Sequence, residues 1–214
     1  MERKDSRWAT IASGRASDMS VDYFVLRWQK TTYTLNLAEI PFLKAFRQNL
    51  LPTVREISSF PAAEFALYLY GSNDDERFDL IGAITALEAL LTKKEEIEGL
   101  TYRLSMRTAN LLGHDVGSRK EMFRHLKKFY NLRSKMVHGA QLDAKLSSQL
   151  TEVDSLRETL RKVLLSVIAL FSEGERPDEL PDLLDDLAFD DEKRKQVQGK
   201  ASKFLHIDAG KTAS

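Results

Sequence analysis

Cysteine is absent from this sequence of 214 residues. Its absence excludes disulfide bonds, thiolate metal sites and a cysteine nucleophile, and it suits a reducing, cytoplasmic location. An excess of either charge is also absent, since 32 Lys and Arg balance 32 Asp and Glu. The summed charge therefore does not draw the protein towards nucleic acid or membrane, and any charged partner has to be recognised by a local cluster.

Long apolar runs are missing as well. The longest, at 163–171, is interrupted by Ser166 and falls far short of the ~20 residues that cross a bilayer. The charged start Met1–Asp5 has no apolar segment behind it and does not resemble a secretory signal. We expect no membrane span. The four histidines lack metal-ligand spacing, so we expect no metal and no cofactor.

The chain does contain helical patterns, and these divide it into three parts. Residues 1–58 are predicted to be an N-terminal extension, with two β-leaning segments that would pair as a short hairpin, followed by a helix. Residues 59–173 are predicted to be a helical domain, and residues 174–214 an acidic and then disordered tail. The predicted fold class is therefore all-α, a bundle of four to five helices.

The helices of the bundle are predicted from apolar spacing and from end signals. Ser118 and Glu121 have the spacing of a capping box, so the third long helix should begin near Ser118 and end at Gly139. The predicted helices lie at about 62–70, 75–91, 97–112, 118–138 and 148–171.

The tail has two interpretations. Residues 173–192 contain ten Asp and Glu against the single Arg176, which favours a solvated acidic segment. The alternative is a short amphipathic helix, formed around four leucines and docked on the body or on a partner. These leucines are Leu180, Leu183, Leu184 and Leu187. A further hypothesis is that the acidic segment covers the basic segment 119–138 and silences it.

The segment 119–138 is strongly basic, with a local net charge of +6 before its two histidines are counted. Its cations suit contacts with phosphates, and its aromatic residues Phe123, Phe129 and Tyr130 suit stacking on unpaired bases. The alternative is that an ordinary amphipathic helix presents its cations to water. The cations are Arg119, Lys120, Arg124, Lys127, Lys128, Arg133 and Lys135.

Arg133 differs from the other cations because it is in phase with the apolar positions Met122 and Leu126. We therefore expect it to be partly buried and to need a carboxylate partner or an anionic ligand. Glu88 also lies in an apolar phase. A structural pair of Glu88 with Arg133, or of Glu88 with Arg107, is one interpretation of these positions.

His138 follows Arg133 by five residues, an offset of about 140° around a regular helix. The two side chains would face one point only if the helix ended or bent there, which Gly139 allows. Taken alone, a histidine at a helix C-terminus is explained by its interaction with the last carbonyl groups.

A larger set of residues over 66–139 forms a recognisable pattern. It comprises Ala66-Leu67-Tyr68, Asp75-Glu76-Arg77, Leu80-Ile81, Ala86-Leu87-Glu88-Ala89-Leu90-Leu91, Tyr102-Arg103-Leu104, Arg107-Thr108-Ala109 and the run Tyr130 to Gly139 with its R-x4-H motif. This pattern resembles the Apea-like branch of the HEPN superfamily. The resemblance implies a helical bundle that dimerises, with Arg133 and His138 acting in metal-independent RNA cleavage. Ser134 matches the polar residue that often follows the motif arginine.

One departure limits the resemblance. Some HEPN toxins carry a tyrosine two residues after the histidine, where this chain has Ala140. The modification chemistry associated with that tyrosine is therefore not expected here.

The expected function is that of a HEPN-type endoribonuclease in defence or stress response, acting on single-stranded RNA at a homodimer interface. The alternative is a non-catalytic module that binds RNA or a nucleotide, or that assembles a larger complex. An antitoxin or another protein is a further expected partner. The expected catalytic residues are Arg133 and His138. The expected RNA contacts are Arg124, Lys127, Lys128, Tyr130, Ser134 and Lys135. The expected supporting residues are Glu88, Arg103 and Arg107.

Overall fold

The computed structural model describes residues 76–139 and 148–203, together with Gln48 and Leu205. These residues form six α-helices and no strand, so the all-α class is confirmed. The predicted hairpin and the predicted helix at 62–70 lie outside the described residues. The helices are α1 (Glu76–Leu91), α2 (Leu100–Leu112), α3 (Val116–Val137), α4 (Val153–Ser172), α5 (Leu180–Asp186) and α6 (Asp191–Ala201).

The core lies around α1, which packs against α2, α3 and α4. Its apolar side chains recur at helical spacing, and Leu80, Ile84 and Leu87 are fully buried. From α4 the core receives a long apolar stripe that includes Leu156 and Leu160. The helix α3 contributes much less, because only Leu126, Phe129 and Leu132 are buried along its 22 residues. The helix α3 also packs against α2, and its outward side stays exposed.

The helix α3 begins with a capping box, but its N-cap is not the residue that the sequence predicts. The N-cap is Asp115, whose side chain accepts from the backbone N–H of Ser118, while the Ser118 hydroxyl accepts from the backbone N–H of Asp115. Ser118 therefore belongs to the capping box as its third helical residue, not as its N-cap. The box predicted between Ser118 and Glu121 is wrong.

The C-terminal part is folded onto the bundle. Leu180, Leu184 and Leu187 are fully buried, α5 packs against α2, and α6 packs against α4 and α2. The favoured interpretation of 173–192 as a solvated tail is therefore wrong, and so is the disorder expected from about Lys193 as far as residue 203; residues 206–214 lie outside the described part of the chain. The alternative, a short amphipathic helix docked on the body, is confirmed. It is followed by a second helix, α6, which the apolar pattern does not predict.

Buried amide groups join α6 to the end of α2. The Gln198 side chain donates to the backbone carbonyls of Asn110 and Gly113, each at 2.8 Å. Asn110 in turn donates from Nδ2 to the carbonyl of Leu184, at 2.9 Å. Carbonyl groups at a helix C-terminus have no partner within their own helix, and Gln198 satisfies two of them at once.

Candidate nucleic-acid interface

The outward side of α3 carries a row of exposed polar residues at intervals of three and four. We call this row the basic face. It consists of Lys120, Arg124, Lys127, Asn131, Lys135 and His138. Residues at this spacing lie on one side of a helix. None of its Lys and Arg residues forms an ion pair with another described residue. The cations of the basic face are therefore open to an anionic ligand.

Three of the predicted RNA contacts, Arg124, Lys127 and Lys135, lie on the basic face, and Ser134 is partly buried beside it. Lys128 does not share this orientation. Its ammonium group bonds to Glu152 of the segment before α4, at 2.6 Å, and lies over the Phe129 ring. Sequence reasoning does not select Lys120 or Asn131 as contacts, although the three- and four-residue spacing includes both.

The acidic C-terminal segment does not cover this face. Its helices pack mainly against α2 and α4, and the cations of the basic face stay exposed. Several acidic side chains of the segment pair with cations of their own part of the molecule, such as Glu175 with Lys200 at 2.7 Å. The hypothesis that the segment silences the basic helix by covering it is therefore wrong.

Tyr130 and Arg133 lie on another side of α3, facing Glu88 of α1. The Tyr130 hydroxyl donates to Glu88 Oε1 at 2.8 Å, and Arg133 Nη2 lies 3.9 Å from Glu88 Oε2. Burial, and next the bond to Glu88, raise the pKa of Tyr130 to about 12. The predicted pair of Glu88 with Arg133 is confirmed as a long ion pair, whereas Glu88 does not pair with Arg107. Tyr130 is thus held as a donor to Glu88.

Arg133 is the cation of this cluster, and its guanidinium carbon lies 5.9 Å from the centre of the Tyr130 ring. Its side chain is 27% exposed, and its Nε is buried without a hydrogen-bond partner among the described residues. Within the same part of the chain, only Glu88 brings a carboxylate near the guanidinium, at a distance beyond hydrogen bonding. A partly buried guanidinium with unused donors is suited to an anion that approaches from solvent.

His138 is the C-cap of α3 and is exposed. Its backbone N–H still bonds to the carbonyl of Ser134, at 3.0 Å, so the helix stays regular up to this residue. Gly139 then ends it with a φ of +77°. The offset between Arg133 and His138 is therefore the regular one of about 140°. The bend that Gly139 allowed does not occur before His138, and the structure does not turn the two residues towards each other within one chain.

The predicted supporting residues Arg103 and Arg107 belong to a separate cluster around Glu96. Arg107 is fully buried, and it bonds to both oxygens of Glu96, at 2.6 and 2.7 Å. It also bonds to both oxygens of Asp185 and to the carbonyl of Leu91. Arg103 reaches Glu96 from the surface, at 3.1 Å. Arg107 therefore stabilises the fold and has no free donor for a ligand.

His125 is a second histidine of α3, and it points towards α4. Its Nε2 lies 3.3 Å from Thr159 Oγ1, and its ring meets Phe129 edge to face. Burial lowers the pKa of His125. Its position between two helices makes it part of the packing and not of the basic face.

Within the described residues, no three His, Asp or Glu side chains are arranged to hold a metal ion, and no helix has the length and apolar character of a membrane span. No protein-family model matches the chain, and neither a curated protein nor a solved structure matches it significantly. The function therefore has to be inferred from the basic face, from Arg133 and from His138.

Proposed function

We propose that this chain binds single-stranded RNA along the basic face of α3. The observation that carries the proposal is the row of exposed cations, from Lys120 to Lys135, that form no ion pair with another described residue. From Lys120 to His138 the row is about 27 Å long, at 1.5 Å per residue. A line of cations of this length can follow the phosphates of an extended strand.

The distribution of charge over the molecule supports the same proposal. The chain as a whole is neutral, yet α3 contains one acidic residue, Glu121, against seven cations. The acidic residues are concentrated in 173–192, where the helix α5 packs on α2. Separation of the charges lets a neutral protein attract a polyanion at one face.

Cleavage of the bound RNA is the second part of the proposal, in the manner that the resemblance to HEPN domains implies. Arg133 has unused donors, and His138 is exposed at the same end of α3. Because the two point in different directions within one chain, the site needs a homodimer in which Arg133 of one copy approaches His138 of the partner subunit. A role in defence or stress response, a cytoplasmic location and an antitoxin or other protein partner belong to this proposal.

The chemistry of this composite site is transesterification. The 2′-hydroxyl of the RNA attacks its own 3′-phosphate, and the 5′-oxygen of the next nucleotide leaves. His138 accepts the proton of the 2′-hydroxyl as it attacks and returns a proton to the 5′-oxygen as it leaves. Arg133 stabilises the charge that develops on the phosphorane. No metal ion is needed for these steps.

The binding proposal is tested by fluorescence anisotropy with labelled oligouridylate over a range of salt concentrations. The double variant Arg124→Ala/Lys127→Ala should bind more weakly, and its salt dependence should fall by about 0.7 in log–log slope for each phosphate that it no longer neutralises. Lys195→Ala is the matched control, since it removes an exposed cation of α6. Equal affinity of the wild type and the double variant would contradict the proposal.

The cleavage proposal is tested with the same RNA in EDTA, using Arg133→Ala and His138→Ala separately and mixed. Each variant alone should be inactive. After mixing with exchange of subunits, heterodimers contain one intact site of two, so roughly a quarter of the wild-type activity should return. If the wild type binds RNA without cleaving it, the chain is the non-catalytic module, and only the binding proposal stands.

A further inference from the structure

Tyr102 is an exposed aromatic residue in the first turn of α2. Its side chain is 60% exposed, and its hydroxyl makes no hydrogen bond with another described residue. Its ring packs on Phe123 of α3, with ring centroids 5.7 Å apart and an angle of 70° between the planes. Such edge-to-face contact fixes the orientation of a ring while much of its surface stays open to solvent.

The contact with Phe123 places this ring beside the basic face. Phe123 follows Lys120 by three residues and precedes Lys127 by four, so it neighbours both on the surface of α3. An open aromatic ring beside a row of cations has the composition of sites that bind single strands, where bases stack and phosphates pair with cations.

Two other aromatic residues lack this combination. Tyr130 is half-buried and donates to Glu88, so its ring is held against the bundle. Phe189 is 93% exposed, but it lies in the turn between α5 and α6 among Asp185, Asp186 and Asp190. The negative charge around Phe189 repels a phosphate backbone, whereas the surroundings of Phe123 attract one.

We infer that Tyr102 is a stacking platform for an unpaired base of the strand whose phosphates follow the basic face. This inference rests on the proposed RNA binding and adds a contact from a second helix. Stacking on a tyrosine ring requires a base that is not already paired, and it does not depend on which base is presented. Tyr102 therefore selects single strands over duplexes without selecting a sequence.

The test compares labelled oligouridylate with an abasic oligonucleotide of the same length and the same charge. Tyr102→Ala should weaken binding of oligouridylate about tenfold, while its affinity for the abasic strand should equal that of the wild type. Tyr102→Phe keeps the ring and should bind oligouridylate as the wild type does. Phe189→Ala, which removes the most exposed aromatic side chain of the described residues, should have no effect.

The outcomes separate this inference from the one on which it rests. If the wild type and Tyr102→Ala bind oligouridylate equally, the stacking platform is overturned and the basic face stands. If Tyr102→Ala weakens both strands to the same extent, the residue acts only through the packing of α2 on α3, and the inference is again overturned. If the wild type binds neither strand, the proposed function fails and the inference fails with it.

Discussion

Arg107 and Asp185 are separated by 78 residues in sequence and are joined by two parallel hydrogen bonds, Nε to Oδ1 at 2.9 Å and Nη2 to Oδ2 at 2.7 Å. The two carboxylate oxygens of Asp185, the two of Glu96 and the carbonyl of Leu91 accept hydrogen bonds from all five N–H donors of the Arg107 guanidinium. Burial alone would lower the pKa of Arg107, but the bonds to Glu96 and Asp185 raise it above its ordinary value. Helix α5 is thereby bonded to the centre of the bundle.

Replacing Arg107 should cost far more stability than replacing its outer partner. Arg107→Met leaves the carboxylate of Glu96, which is 11% exposed, without its main partner, and we expect the free energy of unfolding to fall by about 3 kcal/mol. Asp185→Asn should cost about 1 kcal/mol, because the Asp185 side chain is 40% exposed and better solvated. Urea unfolding measures both. An Arg107→Met protein with the wild-type midpoint would show that the cluster is not stabilising.

Stability should fall in acid through Glu96. The hydrogen bond from Arg107 lowers the pKa of Glu96 from 4.5 to about 2, despite burial. A carboxyl group with a lowered folded pKa binds protons more readily in the unfolded chain, so its contribution is complete above pH 4.5 and is lost between pH 4.5 and 2. Urea unfolding across this range should show the decline in the wild type and a smaller one in Glu96→Gln. Identical slopes would contradict the assignment.

His125 should make the free energy of unfolding depend on pH in a second range, which lies above that of Glu96. Burial lowers its pKa below the ordinary 6.5, so the unfolded chain takes up the proton more readily. The neutral imidazole therefore contributes its full stability above pH 6.5, and that contribution decreases as the pH falls below 6.5. Unfolding curves of the wild type and His125→Gln, measured between about pH 8 and pH 5 in steps of one unit, should converge at the lower pH. Parallel curves would rule this effect out.

Gly113 is required by close packing at the end of α2. A Cβ atom there would lie 2.6 Å from Arg119 Cγ and 2.8 Å from Arg119 Cα. Because Arg119 Cα is a backbone atom, the backbone would have to move to relieve the second contact. We expect Gly113→Ala to reduce the free energy of unfolding by about 1–3 kcal/mol in urea unfolding. Gly199→Ala is the matched control, because nothing lies within 4 Å of its Cβ position in α6. Gly199→Ala should raise the free energy of unfolding by about 0.5–1 kcal/mol, because alanine favours a helix more than glycine does. Equal effects of Gly113→Ala and Gly199→Ala would refute the packing argument.

Neutralising Glu88 should strengthen the binding of RNA, if the proposed function is correct. Glu88 lies 3.9 Å from Arg133 and partly offsets its charge. Glu88→Gln keeps an acceptor for the Tyr130 hydroxyl but removes that offset, so oligouridylate should bind about threefold more tightly. Tyr130→Phe removes the hydrogen bond without changing the charge, and its affinity should match the wild type. Weaker binding by Glu88→Gln would contradict the role of Arg133 as an anion site.

The helices of the bundle could be predicted because their apolar residues recur within short windows. Ile81, Ile84, Leu87 and Leu91 are the apolar positions that predict α1. The structure buries Ile84, Leu87 and Leu91, whereas Ile81 is only partly buried. For α3, Gly139 alone predicts the C-terminal end to within two residues. The N-terminal end of this helix is harder to predict because Ser118 fits two capping patterns, and only the conformation of Asp115 distinguishes them.

The tail could not be predicted from composition because its charge and its leucines point to opposite outcomes. Ten acidic residues indicate a solvated segment, yet the leucines of α5 share one side, which the structure buries. The pairing of Asp185 with Arg107 holds α5 on the bundle, and no sequence pattern connects these two residues. The relative orientation of Arg133 and His138 depends on whether the helix bends between them, and their spacing in sequence does not show this.

The side-chain amide of Gln198 bonds to two carbonyls at the C-terminal end of α2, although Gln198 lies more than 80 residues later in the sequence. This separation affects the order in which the protein folds during its synthesis. During synthesis, α2 and α3 leave the ribosome while the carbonyls of Asn110 and Gly113 still face water. The native arrangement is complete only after Gln198 has emerged, so the order of synthesis delays the final step of folding. A nascent chain halted within α5 would leave exposed both these two carbonyls and the surface of α2 and α4 on which α6 packs.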